Sequence, residues 1–312
     1  MRRSPRQTIA CAALLAAVVI VPVASAAADP VIVAAGDIAS GGQPDTPQRR
    51  TARLVEQIDP RAVLVLGDNQ YSDGAYADYL SSYDPTWGRF KAITHPTPGN
   101  HDYHTAGAAG YFKYFGYRAH RTHGGYYSFD IGAWHVVAVN SGTGAVSKRQ
   151  LDWIRSDLAA NRSRCELAFW HHPRWSSGAD HGSDGDMAAL WSVLYRAGVD
   201  VVLNGHDHEY ERFAPLTPAG KVAPRKGVRE FVVGTGGAEL YGFDSPIRGS
   251  EKRIRTHGVL KLTLHPTRYS WAFVRTDGTG LDHGAAGCHG PRRSRAPRAP
   301  RASRRYAAGM KT

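Results

Sequence analysis

Apolar positions in this chain fall into short continuous runs separated by amphipathic stretches, and the two kinds alternate from residue 31 onward. VIVAAG (31–36), AVLVLG (62–67) and DVVLNG (200–205) are apolar almost throughout, as strands are when both faces are covered. YYSFDI (126–131), WHVVAVN (134–140) and ELAFWH (166–171) read as further strands. TPQRRTARLVEQI (46–58) places Leu54, Val55 and Ile58 at helical spacing behind an N-cap at Asp45 or Thr46. SKRQLDWIRSDLAA (147–160) and DMAALWSVLYRAG (186–198) read as two more helices. REFVVGTGG, HGVLKLTLH and RYSWAFV then follow as strands with little helix between them. Alternation first and strands later predicts an α/β fold layered around a largely buried sheet. Segments 40–45 and 175–186 are polar and rich in Gly and Ser, which predicts loops.

Charge changes the picture only at the ends. The net charge of +12 rests on Arg2, Arg3 and Arg6 and on a final stretch with seven arginines, one lysine and no acid. The body between is close to neutral, so the basic balance gives no reason to read a nucleic-acid-binding protein. Three arginines, an apolar run over 9–23 and Ala24-Ser25-Ala26 read as a secretory signal over 1–26. An uncleaved membrane anchor is the competing reading, and the run is short of the ~20 residues a bilayer span needs. The expected organisation is therefore a signal (1–26), one catalytic domain (27–290) and a basic disordered tail (291–312). The mature protein would be secreted or extracytoplasmic, without stable membrane insertion. Removal of Cys11 leaves Cys165 and Cys288, and an even pair in an exported chain favours one disulfide over two isolated thiols.

The candidate chemistry lies at the strand ends. Gly36-Asp37, Gly67-Asp68, His171-His172 and Gly205-His206-Asp207-His208 each end a strand run, and Gly99-Asn100-His101-Asp102 follows the short ITHPTP run. Ligands of open α/β sheets gather beyond the carboxyl ends of strands, so five such ends can meet in one place. Carboxylate, amide, phenol and imidazole together suit iron, zinc or manganese. Seven donors are too many for one tetrahedral ion and enough for two ions that share a carboxylate.

These blocks, with Tyr71 in Gly67-Asp68-Asn69-Gln70-Tyr71 and the continuation Glu209-Tyr210-Glu211-Arg212, resemble the calcineurin-like metallophosphoesterases and, within them, the purple acid phosphatases. The likeness runs from Val31 to about Val274. It implies a four-layer α/β/β/α sandwich with two metal ions at the edge of its sheets. Asp37, Tyr71 and His208 would hold Fe(III). Asn100, His171 and His206 would hold a divalent iron, zinc or manganese, with Asp68 bridging. The implied reaction is hydrolysis of phosphate monoesters by attack of a metal-bound hydroxide; a phosphodiesterase or nucleotidase would use the same site. Its partner would be a phosphorylated small molecule and no specific nucleic acid. A non-catalytic metal-scaffolded binding protein is a rival from another class, for which one closed site would suffice. His101 is the candidate to protonate the leaving oxygen, with Asp102 orienting its ring and His172 doing similar work from the other side. Arg174 is either a phosphate contact or a solvated loop cation. His104 and His181 sit in loops beside the motifs; the remaining histidines take surface or core roles by default.

Overall fold

The computed structural model describes residues 28–41, 46–120 and 123–290. The expected signal segment and basic tail lie outside these residues, as does most of the expected loop over 40–45. Two sheets form the centre. The first runs in the spatial order Gly280–Gly287, Arg268–Arg275, Gly258–His265, Val31–Ala35, Ala62–Leu66, Thr94–Thr97. The second runs Ser250–Ile254, Tyr210–Phe213, Arg229–Val233, Val201–Asn204, Cys165–Phe169, Trp134–Ala138, Tyr127–Ile131. Both are mixed: strands joined by helical crossovers pair in parallel, hairpins pair antiparallel, and Val31–Ala35 also pairs antiparallel with the distant Gly258–His265.

Period-two alternation explains the layering. Val136, Ala138, Leu167, Phe169, Val201 and Leu203 join Ile32, Leu64 and Leu260 in the core between the sheets. Val137, Ala168, Trp170 and Val202 face the other way, against Ile154, Leu158, Leu190 and Leu194. Those last four belong to the helices Lys148–Ala160 and Ala188–Ala197. The helix Pro47–Ile58 covers the first sheet with Ala52, Leu54 and Val55, and Thr46 holds its N-cap position without a side-chain bond to the helix. Helix, sheet, sheet, helix is the four-layer sandwich expected from the sequence.

The cysteines do form a disulfide, Cys165–Cys288. It joins the first residue of a strand in the second sheet to the residue just past the last strand of the first. The stretch from residue 76 to 119 departs from the expected pattern. It folds into short helices, including Asn100–His104 and Ala109–Phe115, around a buried cluster of Tyr79, Tyr83, Tyr111, Tyr114 and Phe115. In the two large sheets Tyr210–Phe213, Ser250–Ile254 and Gly280–Gly287 went unanticipated, as did the short strands Ala39–Ser40 and Gln70–Tyr71. The helix expected to begin at residue 186 starts at Ala188 after a turn over Gly185–Met187. Among the described residues no helix is long and apolar enough to cross a membrane.

Candidate metal centre

Each motif loop leaves its strand at the same end of the sandwich, and backbone pairing draws the loops together. Asp37 and Ile38 donate their N–H groups to the carbonyls of Gly67 and Asp68, and Ala39–Ser40 pairs in parallel with Gln70–Tyr71. Asp37, Asp68 and His206 sit in the left-handed region, with φ of 59°, 46° and 74°. Non-glycine residues occupy that region at a cost, and such outliers concentrate at functional sites. Two motif glycines are required by close approach. A Cβ on Gly99 would lie 2.1 Å from Asp68 Oδ1, and one on Gly205 would lie 2.5 Å from Asp37 Oδ2.

The two carboxylates are fixed alike. Asp68 Oδ1 accepts from His101 N at 2.8 Å, and Asp37 Oδ2 accepts from His206 N at 2.9 Å. Each therefore has one oxygen tied and the other turned inward. Asp37 Oδ1 lies 2.8 Å from the Tyr71 hydroxyl and 3.2 Å from His208 Nε2, and that hydroxyl is 2.9 Å from the same Nε2. Asp68 Oδ2 lies 3.1 Å from the Tyr71 hydroxyl and 3.2 Å from His171 Nε2. His171 Nε2 in turn is 3.0 Å from Asn100 Oδ1 and 3.1 Å from His206 Nδ1. All seven expected donors thus meet in two groups joined by Asp68: Asp37, Tyr71 and His208 on one side, Asn100, His171 and His206 on the other.

The donors fit cations because there are too few protons to pair them. His171 Nδ1–H donates to Leu66 O at 2.9 Å and His208 Nδ1–H to Glu239 O at 2.6 Å, which turns both Nε2 lone pairs into the cluster. His171 Nε2 there meets a carboxylate oxygen, an amide oxygen and another imidazole nitrogen. The single phenol proton of Tyr71 faces three acceptors. Without ions, burial opposes a charge on His171, yet Asp68 and Asp37 push its pKa up to about 9. Burial, then Asp37 and Asp68, hold the Tyr71 phenol well above its ordinary value. The two carboxylates push both groups in the same direction, and a bound cation opposes that push.

Around this cluster the expected helpers divide. His101 is half-buried, its Nδ1 held by Ser72 O at 2.7 Å and its Nε2 4.0 Å from Asp68 Oδ2. Asp102 does not meet that ring, which corrects the expected pairing. Its carboxylate is fully buried and accepts from Gly99 N, Asn69 Nδ2 and Tyr79 OH at 2.9, 3.0 and 2.5 Å. Burial and the nearby Asp68 push Asp102 up to about 7, against those donors. Arg174 is half-buried, which sets aside the solvated loop cation. Its guanidinium stacks on Trp175 at 4.0 Å and donates to Asp184 O, and among the described residues it makes no hydrogen bond to the seven. His172 is buried beside His171 and His206, and desolvation followed by the charge on His171 lowers it to about 3. His181 stacks on His206 with centroids 4.0 Å apart. Glu211 accepts from Ser177 N and Oγ and so holds the loop that carries His181, while Arg212 pairs with Asp282 and Glu251. Tyr241, stacked on His208 at 3.9 Å, carries no signal in the sequence.

Comparison with known proteins agrees with this geometry. The calcineurin-like phosphoesterase family matches residues 26–210. Purple acid phosphatase 21 of Arabidopsis thaliana is 30% identical over 276 residues, covering 78% of this chain and 59% of that protein. Human acid phosphatase type 7 is 27% identical over 219 residues, covering 60% and 48%. Among solved structures, purple acid phosphatase PPD1 from yellow lupin (Lupinus luteus) seeds superposes with a TM-score of 0.67 at 19% identity, covering 83% of this chain and 53% of that one. The chain thus spans about half the length of these relatives. With its motif loops converged on one end of a four-layer sandwich, the chain belongs to the calcineurin-like phosphoesterase family, on its purple acid phosphatase-like branch.

Proposed function

We propose that this protein is an exported phosphatase that hydrolyses phosphate monoesters with two metal ions. The observation that carries the reading is the meeting of seven proton-poor donors in two groups that share Asp68 Oδ2. Asp37, Tyr71 and His208 would hold the ferric ion, since phenolate and carboxylate suit the harder charge. Asn100, His171 and His206 would hold a divalent iron, zinc or manganese. When bound, such a pair would neutralise charge on the phosphoryl group and lower the pKa of a bound water molecule.

The protein's own groups do the rest. Asp37 and Asp68 are immobilised by backbone N–H groups from other motifs, so their inner oxygens need no reorganisation as substrate binds. His101 has its Nδ1 proton held by Ser72 O, which leaves Nε2 facing the cluster. From there it delivers a proton to the leaving oxygen. The substrates are phosphorylated small molecules, and the near-neutral body offers no tract for nucleic acid. A signal over 1–26, a catalytic domain over 27–290 and a basic tail over 291–312 complete the proposal.

Purified protein assayed on p-nitrophenyl phosphate and its bis-ester, with metal analysis, tests it. The monoester should turn over faster, with two metals per chain; preference for the bis-ester points to a diesterase. His101→Ala should keep both metals and lose about 10²–10⁴ in rate, less for good leaving groups. Asp68→Ala should lose both ions and turnover. If it keeps two metals and the wild-type rate, the centre is misassigned.

A further inference from the structure

Two loops beside the metal centre carry rings that stack on its donors. His181 lies against His206 with centroids 4.0 Å apart, Tyr241 lies against His208 at 3.9 Å, and the two outer rings meet edge to face at 5.6 Å. The loops are also tied to each other. Gly178 and Phe243 form an antiparallel bridge, and Ala179 N–H donates to Gly242 O at 3.1 Å.

Ser177 is where that tie is fastened. It is 2% exposed, so each of its polar groups needs a partner inside the protein. Its N–H and its hydroxyl donate to the two oxygens of Glu211, both at 2.7 Å. Its carbonyl accepts from Asp244 N at 2.9 Å, and its Oγ accepts from Ile247 N at 3.1 Å. Glu211 is fully buried on the strand Tyr210–Phe213 and accepts from Ser250 Oγ as well. Two parallel hydrogen bonds to one carboxylate fix orientation as well as position. One serine therefore joins three pieces: the strand that leads from His206 and His208, the loop of His181, and the segment that runs on from Tyr241. Among the described residues, neither Ser177 nor Glu211 forms a hydrogen bond to any of the seven donors.

We propose that Ser177 and Glu211 are positioning residues that lock the His181 and Tyr241 loops into one unit, so that the two rings select the ester group of the substrate together. Neither loop can shift without breaking bonds that hold the other, and groups that share such a network act non-additively. The inference rests on the phosphatase reading above and deepens it.

The test uses the full chain loaded with metal. Ser177→Ala should lower kcat/KM for p-nitrophenyl phosphate by up to about 10²-fold, which a misplacement of about 1 Å can cost. The preference for p-nitrophenyl phosphate over glycerol phosphate should change with it. In a chain that already carries His181→Ala and Tyr241→Ala, the same replacement should cost less than about 2-fold, the scatter of independent sites. Zinc affinity, measured by competition with a chelator, should not move. Amide exchange over 238–243, where Ser177 itself forms no hydrogen bond, should quicken in Ser177→Ala together with that over 178–183. If Ser177→Ala does not fold, Glu211→Gln keeps the shape and one acceptor oxygen, and should give the same pattern with smaller losses. An equal loss of rate with and without the two rings is what a merely structural role gives, and it overturns the proposal. Quicker exchange confined to 178–183 overturns it too. Quicker exchange in both loops of a protein whose wild type hydrolyses neither ester overturns the phosphatase reading and leaves the link between the loops standing.

Discussion

Replacing Asp102 separates two accounts of the same residue. If it oriented His101, Asp102→Ala would copy His101→Ala: a slower enzyme of ordinary stability, with the deficit worst for poor leaving groups. The hydrogen bonds say otherwise. Asp102 accepts from Gly99 N, Asn69 Nδ2 and Tyr79 OH, and it is fully buried. Asn69 Nδ2 keeps a second acceptor, Thr97 O at 3.0 Å, so truncation orphans chiefly the Gly99 amide and the Tyr79 hydroxyl. Each buried donor left without a partner costs about 1–3 kcal/mol, so the variant should lose roughly 4 kcal/mol. Because Gly99 precedes Asn100, the divalent ion should also bind more weakly. Urea denaturation of the metal-free protein reads the first effect, and zinc competition the second. Asp102→Asn keeps the shape and one acceptor oxygen, and should fall between. A metal-free Asp102→Ala that unfolds within about 0.5 kcal/mol of wild type, as a surface change would, refutes this reasoning.

Tyr71→Phe should abolish the visible phenolate-to-iron band of the iron-loaded protein while the divalent ion stays bound; an unchanged spectrum removes Tyr71 from the ligand set. Cys165→Ser with Cys288→Ser should lower stability by about 2–5 kcal/mol, towards the upper end because the bridge spans 123 residues. Thermal melts under non-reducing conditions measure that loss. His135 is held by Asp130 and Asp157 at 2.7 and 2.8 Å. Burial opposes its charge, yet these partners raise its pKa from 6.5 to about 9. A raised pKa means that its contribution is full below pH 6.5 and is lost as pH climbs through about 9. His135→Gln should flatten that decline in melting temperature, and a parallel decline in both proteins would dismiss the clamp.

What the sequence made legible is what physical chemistry writes locally. AVLVL and VVL announce strands because both of their faces are covered. Gly67, Gly99 and Gly205 announce the site because another motif's ligand occupies the space where a Cβ would be. Tyr71 was readable because it shares a loop with Asp68. Contacts between distant residues were not readable. Nothing near Asp102 points to Tyr79, which reaches it from 23 residues earlier in the chain. SEKRI is a strand at a sheet edge with no apolar residue but Ile254, held by backbone pairing and by Glu251, whose partners Arg212 and Arg229 lie on other strands of the sheet. GLDHGAAG hides its strand for a different reason: Gly284 is small because the Trp271 ring covers it, with atoms 2.3 Å from where a Cβ would stand. The tyrosine-rich stretch from 76 to 119 has no helical period, because its short helices pack by aromatic contact from several sides.

The disulfide and the metal centre sit at opposite ends of one strand, Cys165–Phe169, and both reach from the second sheet to the first. A sandwich clasped at its two ends cannot part its sheets like a hinge to admit a substrate. On the phosphatase reading, adaptation to different phosphate esters is then left to the loops at the rim, and above all to those carrying His181 and Tyr241. Exchanging these loops should change which esters are accepted while the ions stay where they are.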